Sequence, residues 1–172
     1  GQFTQPIIFN TGDDPRDLIA GDINNDGHLD LLTLNWLSDN ITLHTGDGTG
    51  NFIISGSIGT LGTALAFDLA DVDEDNNLDI IVANGSGNSI SLYLGNGAGA
   101  FSSSGTLATS VAVNDVRIGD FNNSGFADIA ASLNASDQVV IFTGNGAGAF
   151  TETDTYDTFG ATTLETGDLN LD

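Results

Sequence analysis

The chain has 172 residues, which is enough for one domain with a sizeable core. Its 24 acidic and 2 basic residues give a formal net charge of −22, and this excludes ordinary nucleic-acid binding and disfavours anionic membrane surfaces. The absence of cysteine excludes a disulfide framework and thiol chemistry. No apolar run is long enough for a predicted membrane span. Methionine is absent even at position 1, so we expect a processed product, a fragment or a window of a longer chain.

A nine-residue acidic segment recurs along the chain. It occupies residues 22–30 (loop 1), 71–79 (loop 2) and 120–128 (loop 3), and an incomplete fourth copy begins at Asp168. Oxygen-bearing side chains stand at positions 1, 3, 5 and 9 of each complete copy. Hard cations prefer such ligands in tight loops, and calcium does so above all. The pattern therefore predicts three complete calcium loops and a fourth that is incomplete.

A second marker, rich in glycine and ending in phenylalanine, runs in phase with the loops. It occupies residues 46–52 (turn 1), 95–101 (turn 2) and 144–150 (turn 3), and Gly1-Gln-Phe3 matches the end of an earlier copy. Glycine supplies the positive φ that tight hairpin turns require. The chain is thus expected to begin late in one unit and to end early in another, with about three and a half units in all.

The segments between these markers have the pattern of β-strands. In chain order the first unit has strands predicted at 17–23, 29–35 and 41–45, and a fourth that begins at Phe52. Later units repeat this order, with strands predicted at 78–84, 90–94, 114–121 and 138–143. Four short antiparallel strands per unit are typical of a β-propeller blade, so the predicted fold class is all-β, with propeller blades. We predict a partial blade over 1–12, blades over 13–61, 62–110 and 111–159, and a partial blade over 160–172, within a larger propeller or assembly.

Together these loops and turns resemble the FG-GAP/VCBS-type repeats of integrin α-subunit heads and many bacterial surface proteins. The resemblance covers the whole chain. It implies a propeller, usually of seven blades, with calcium loops between first and second strands and a role in adhesion, ligand binding or scaffolding. The implied calcium ligands are side chains at positions 1, 3, 5 and 9 and the carbonyl at position 7. The residues at these positions are Asp22, Asn24, Asp26, His28, Asp30, Asp71, Asp73, Asp75, Asn77, Asp79, Asp120, Asn122, Ser124, Phe126, Asp128 and, in the fourth copy, Asp168, Asn170 and Asp172.

Two other interpretations of the loops are weaker. Asp and Asn also favour metal-free turns, but a turn does not need several carboxylates at fixed offsets, where they repel one another. An EF-hand needs a glutamate at position 12, where this chain has Thr33, Val82 and Ala131, and it needs flanking helices. Because ligand charge tunes calcium affinity, we predict that loop 2 binds at least as tightly as loop 1 and that loop 3 binds more weakly.

Little in the sequence favours catalysis. His28 and His44 have no visible carboxylate or nucleophile partner, so we expect no enzyme. Arg117 is expected either to pair with Asp68 or Glu165 across a blade interface or to be a solvated surface residue. Three segments match the N-glycosylation pattern, as chance also allows in so polar a chain. They begin at Asn40, Asn84 and Asn134.

The predicted function is an extracellular or cell-surface, calcium-stabilised propeller that serves as a structural, adhesion or ligand-binding module. Its expected partners are a protein or glycan, and another copy or a continuation of the chain that completes split blades. The alternative is a carbohydrate-binding module or a non-catalytic part of a polysaccharide-acting enzyme. That alternative needs exposed aromatic platforms, for which the candidates are Trp36, Tyr93 and Tyr156.

Overall fold

The computed structural model describes residues 8–167, so the predictions on Gly1-Gln-Phe3 and on Asp168, Asn170 and Asp172 lie outside the described residues. About half of the described residues lie in β-strands, which are nearly the whole of the regular secondary structure. One short 3-10 helix, at Asn134–Ser136, interrupts them. The twelve strands are β1 (Pro15–Gly21), β2 (Asp30–Asn35), β3 (Asn40–Gly46), β4 (Phe52–Gly59), β5 (Ala64–Ala70), β6 (Asp79–Asn84), β7 (Ser89–Gly95), β8 (Phe101–Ala108), β9 (Asp115–Gly119), β10 (Asp128–Leu133), β11 (Gln138–Gly144) and β12 (Phe150–Asp157).

The strands form three four-stranded antiparallel sheets, each a simple meander in chain order. We name them blade 1 (β1–β4), blade 2 (β5–β8) and blade 3 (β9–β12). The predicted fold class is confirmed, and each blade contains a predicted acidic loop and glycine turn. The limits predicted between blades stay a prediction.

Apolar faces hold neighbouring blades together. Successive side chains of a strand point to opposite faces, so β6 in blade 2 sends Ile80 toward blade 1 and Ile81 toward blade 3. All six residues of β6 are buried, as expected for a strand covered on both sides. One buried cluster therefore joins blades 1 and 2 and another joins blades 2 and 3, and the blades stack face to face.

The direction of the strands places each acidic loop beside a glycine turn. A loop joins the first strand of a blade to the second, and a turn joins the third strand to the fourth. Because the strands alternate in direction, both connections lie at the same end of the blade. This end of the molecule carries the predicted metal ligands.

Candidate metal centres

The backbone of the three loops follows one course. The residues at positions 4 and 6 have positive φ in every copy, a conformation that glycine and asparagine tolerate best. At position 4 the angles are 56° for Asn25, 62° for Glu74 and 56° for Asn123. At position 6 they are 84° for Gly27, 66° for Asn76 and 89° for Gly125. Asn76 can take the place of glycine at position 6 because asparagine tolerates this conformation, whereas Glu74 is a residue that rarely adopts it.

The carboxylate at position 1 organises each loop. In loop 1 the two oxygens of Asp22 accept hydrogen bonds from the amides of Asp26, at 3.1 Å, and Gly27, at 2.8 Å. The residues at positions 3 and 5 accept further amides, so that Asn24 Oδ1 receives the amide of Asp26 and Asp26 Oδ1 receives that of His28. The corresponding bonds recur in the other two copies, with Asp71, Asp73 and Asp75 in loop 2 and Asp120, Asn122 and Ser124 in loop 3 as acceptors.

The aspartate at position 9 has a second task that the sequence analysis missed. Asp79 is 1% exposed, and its oxygens accept the amides of Val72, at 2.9 Å, and Gly95, at 2.8 Å. It therefore clasps the start of its loop to the end of the third strand. Asp30 and Asp128 make the same pair of bonds in blades 1 and 3. Each carboxylate oxygen keeps a further lone pair, so this clasp leaves capacity for a cation.

Loop 2 brings its acidic side chains closest together. Ligand atoms of Asp71, Asp73 and Asp79 lie within 4.8 Å of one another, and this is the one such group of three acidic, histidine or cysteine side chains found in residues 8–167. Asp75 lies outside the group. Because all donors are hard oxygens, the set suits calcium rather than a thiolate-seeking metal. The residues present thus fit the predicted ion in loop 2.

The electrostatics of loop 2 and loop 3 differ. Burial, together with nearby Asp73 and Asp75, raises the pKa of Asp79 to about 6. Burial and the neighbouring carboxylate of Asp75 also raise the pKa of Asp73. In loop 3 the backbone amides, that of Gly125 above all, lower the pKa of Asp120. Burial is the larger cause of both raised pKa values and the neighbouring carboxylates add to it, and a divalent cation would favour the ionised form of both groups.

Loops 1 and 2 are also part of the contacts between blades. The carbonyl at position 2 of each accepts an amide from the glycine turn of the next blade, Ile23 from Gly99 at 3.0 Å and Val72 from Gly148 at 3.2 Å. The side chains at position 2 are correspondingly buried, with 3% of Ile23 and 2% of Val72 exposed. The equivalent Phe121 of loop 3 is 42% exposed. Two of the three loops are therefore held from the next blade as well as from their own.

Loop 1 makes one further contact, directly with loop 2. Asn25, at position 4 of loop 1, donates from its Nδ2 to Oδ1 of Asn77, at position 7 of loop 2, over 2.8 Å. Gly97 of turn 2 lies against both amides, and a side chain at Gly97 would overlap them. Between loops 2 and 3 the equivalent positions hold Glu74 and Phe126, which cannot form such an amide pair.

The aromatic ring of Tyr93 carries a hydroxyl that bonds blade 2 to blade 1. The Tyr93 hydroxyl donates to the carbonyl of Gly59, at the end of β4, over 2.9 Å. His44 stands at the equivalent place in blade 1 and bonds through Nε2 to the carbonyl of Asn10 at 2.8 Å. The third copy has Phe142, which lacks a hydroxyl and lines a cavity of about 280 Å³ formed by blade 3 side chains and by Thr109 and Ser110, which follow β8. Neither His44 nor the exposed His28 contacts a nucleophile.

Of the two alternative partners predicted for Arg117, Glu165 is found at ion-pair distance, and Asp115 is a nearer partner that was not predicted. Nη1 of Arg117 bonds to Asp115 on the same strand over 2.7 Å, and Glu165 lies 4.0 Å from its Nη2. Asp68 instead accepts the amide of Ile118 in blade 3 at 2.9 Å, so its carboxylate joins the blades through the backbone. No sequence pattern indicated this role of Asp68 as an acceptor for a backbone amide.

Three stacked four-stranded meanders, each with an acidic loop and a glycine turn at one end, define a propeller-type repeat protein. The family model of the FG-GAP-like repeat matches residues 71–131. The chain therefore contains an FG-GAP-like repeat within a propeller-type fold. No curated protein matches it by sequence.

Solved structures with a propeller-type fold are similar to the chain at low identity. The periplasmic gluconolactonase PpgL of Pseudomonas aeruginosa superposes with a TM-score of 0.70 and 16% identity, over 90% of this chain and 42% of that one. BBS1N, from its complex with ARL6DN, gives 0.67 and 12%, over 99% of this chain and 52% of that one. The chain thus spans about half the length of these structures or less, and the likeness concerns the fold alone. Across residues 8–167 no helix has the length and apolarity to cross a bilayer.

Proposed function

We propose that the protein is a calcium-stabilised β-propeller module that works outside the cell or at its surface. The observation that carries this proposal is the group of Asp71, Asp73 and Asp79 in loop 2, set on a loop backbone that recurs in all three blades. A calcium ion would supply positive charge where these carboxylates now repel one another. Since unfolding would release the ion, its binding free energy would add to the stability of the fold.

The residues would divide the work within each loop. Positions 1, 3 and 5 are held by amides of the loop itself and present oxygens toward one another, while the aspartate at position 9 fixes the loop against the third strand. By carboxylate count, loop 2 with four would bind at least as tightly as loop 1 with three, and loop 3 with two would bind more weakly. The compact group of three in loop 2 supports this order.

The test is thermal unfolding of the chain in EDTA, in calcium and in magnesium, with calorimetric titration to count the ions. At calcium a hundredfold above its Kd, we expect a gain of about 2.7 kcal/mol per site, which raises Tm by about 5 to 10 °C. Asp71→Asn removes the position 1 carboxylate that all three loops have, and it should lose most of the loop 2 contribution. Asp154→Asn, which removes the same charge from an exposed position on β12, is the control and should keep the full gain. An unchanged melt in EDTA and calcium would contradict the proposal.

We propose a binding or structural role rather than a catalytic one, with a protein or glycan as partner. The extracellular location is supported by the millimolar calcium that weak loops of this kind require. A carbohydrate platform is less well supported, because Tyr93 is 6% exposed and the Arg16 guanidinium lies 4.8 Å from the centre of the Trp36 ring. Tyr156, at 57% exposure, is the remaining candidate. Glycan-array binding that disappears in Tyr156→Ala would favour the carbohydrate alternative.

We also propose that the outward faces of blades 1 and 3 are covered in the working protein, by another copy or by further chain. Leu18 and Leu29 of blade 1 are 52% and 62% exposed, whereas Phe67, the counterpart of Leu18 in blade 2, is fully buried. Exposed apolar faces of this kind favour association. Light scattering of the 172-residue chain tests self-association, which a monomer at high concentration would contradict.

A further inference from the structure

Loops 1 and 2 are joined by a side-chain bond that has no counterpart between loops 2 and 3, and by a glycine-turn bond that does have one. Asn25 of loop 1 donates to Asn77 of loop 2, and the carbonyl of Ile23 in loop 1 accepts the amide of Gly99 in turn 2. Asn25 and Asn77 are 52 residues apart in the chain and belong to different blades. An ordered loop 1 therefore helps to order loop 2, and the reverse holds as well.

From these contacts we infer that calcium binding at loop 1 and at loop 2 is coupled through the Asn25–Asn77 bond, while loop 3 binds independently of loop 1. The inference rests on the proposed calcium binding. Neither asparagine side chain is among the implied ligands, since position 4 is no ligand and position 7 acts through its carbonyl. The coupling thus belongs to the joint between blades 1 and 2 and not to either coordination shell.

The physical reason is linkage between two ordering events. An ion in loop 1 fixes the backbone at Asn25, whose φ of 56° is sparsely populated in a free chain. The fixed amide then holds Asn77, and Asn77 in turn bonds through Nδ2 to Oδ2 of Asp75 at 2.8 Å, the residue at position 5 of loop 2. Binding of the first ion therefore orders part of the second loop in advance, so the second ion binds more tightly, which is positive coupling. By reciprocity, an ion in loop 2 strengthens binding in loop 1 to the same degree.

Loops 2 and 3 lack the direct bond. Glu74 has no amide to donate, and Phe126 has no polar group to accept. The glycine-turn bond between these blades, from Gly148 to the carbonyl of Val72, involves turn 3 rather than loop 3, and the bond from Ile118 to Asp68 joins strands β9 and β5. Loop 3 therefore serves as an internal reference for the other two.

The experiment follows each loop separately in the intact chain during a calcium titration. The amide at position 6 of each loop donates to the position 1 aspartate, so the NMR resonances of Gly27, Asn76 and Gly125 report on one loop each. In the native chain we expect the amide resonances of Gly27 and Asn76 to shift over the same range of calcium concentration. Both titration curves should be steeper than a single-site isotherm. The Gly125 curve should follow a single-site isotherm.

Asn25→Gly removes the connecting amide and keeps the positive φ. We expect it to weaken calcium binding at loop 2 about fivefold, although every ligand of loop 2 remains. Asn123→Gly is the matched control, because Asn123 holds the same position and φ in loop 3 and no hydrogen bond of its side chain is found in residues 8–167. It should leave loop 2 unchanged. Melting in EDTA confirms that both variants fold.

The possible results separate this inference from the function on which it rests. Binding at all three loops with an unchanged loop 2 curve in Asn25→Gly overturns the coupling and leaves the calcium proposal standing. Amides in all three loops that do not respond to calcium overturn both. A loop 2 curve that shifts equally in Asn25→Gly and Asn123→Gly also overturns the coupling, since the change would then be general loosening.

Discussion

The contact between blades 1 and 2 and the contact between blades 2 and 3 have the same apolar packing but differ in their polar bonds. At the joint of blades 1 and 2, an amide pair links the loops and the Tyr93 hydroxyl reaches the end of β4. At the joint of blades 2 and 3, Glu74 faces Phe126, and Phe142 lines a cavity of about 280 Å³. The apolar faces and the glycine-turn bond are common to both joints. Burial of apolar faces therefore sets the stacking of blades, whereas individual polar bonds between blades can be present at one contact and absent at the other.

The largest expected effect comes from breaking the first joint at Gly97. Gly97→Ala places a Cβ against both Asn25 and Asn77 at a φ of 65°. Left-handed strain and overlap together should lower the free energy of unfolding by about 3 kcal/mol. Gly48→Ala is the control, because Gly48 has a similar φ of 73° and meets only the exposed ring of His28. Urea denaturation in EDTA measures both, and equal losses would argue that the joint adds nothing beyond the turn itself.

A smaller effect is expected from strengthening loop 3. Ser124→Asp adds a third carboxylate at a position where Ser124 already accepts the amide of Phe126, as Asp75 accepts that of Asn77 in loop 2. Calcium affinity at loop 3 should rise about tenfold, since ligand charge tunes affinity. The Gly125 resonance measures this directly. Ser102→Asp, on the exposed strand β8, adds the same charge elsewhere, and an equal gain from it would mean that net charge alone is responsible.

A pair of asparagines introduced between loops 2 and 3 should couple calcium binding at these two loops. The double variant Glu74→Asn with Phe126→Asn places amides where Asn25 and Asn77 stand at the first joint. Loop 3 should then bind calcium about fivefold more tightly and titrate together with loop 2. Each single variant lacks one half of the pair and should show no coupling. Coupling in a single variant would point to relief of the Glu74 backbone strain as its cause.

The smallest expected effect concerns the hydroxyl of Tyr93. Tyr93→Phe removes the bond to Gly59 and should cost about 1 kcal/mol in the free energy of unfolding. Phe142→Tyr, at the equivalent place in blade 3, should gain about 0.5 kcal/mol if its hydroxyl reaches the end of β8. Thermal melts of the two single variants and of the double variant measure the loss of one hydroxyl and the gain of the other. Loss of stability in Phe142→Tyr would show that the cavity does not admit the hydroxyl.

The fold could be predicted from the sequence because its signals are local and repeat in phase. Strands, acidic loops and glycine turns are hairpin elements whose chemistry lies within a few residues. The Asp79 clasp was missed because Gly95 is 16 residues away, and the Asn25–Asn77 bond because its partners are 52 residues apart. For Arg117, the predicted partner Glu165 is found, whereas the other candidate, Asp68, accepts a backbone amide instead. Local pattern therefore predicted where the loops lie, but not what holds them to their neighbours.

The buried aspartate at position 9 has a consequence for how such an array can change over time. Asp30, Asp79 and Asp128 hold the ends of their hairpins together with protein bonds alone. Positions 3 and 5 differ among the copies, with Asn, Asp or Ser, while position 9 is the same in all three. Loop 3, with two carboxylates, keeps the same clasp as loop 2, which has four. The number of carboxylates in a loop can therefore vary while its hairpin stays closed.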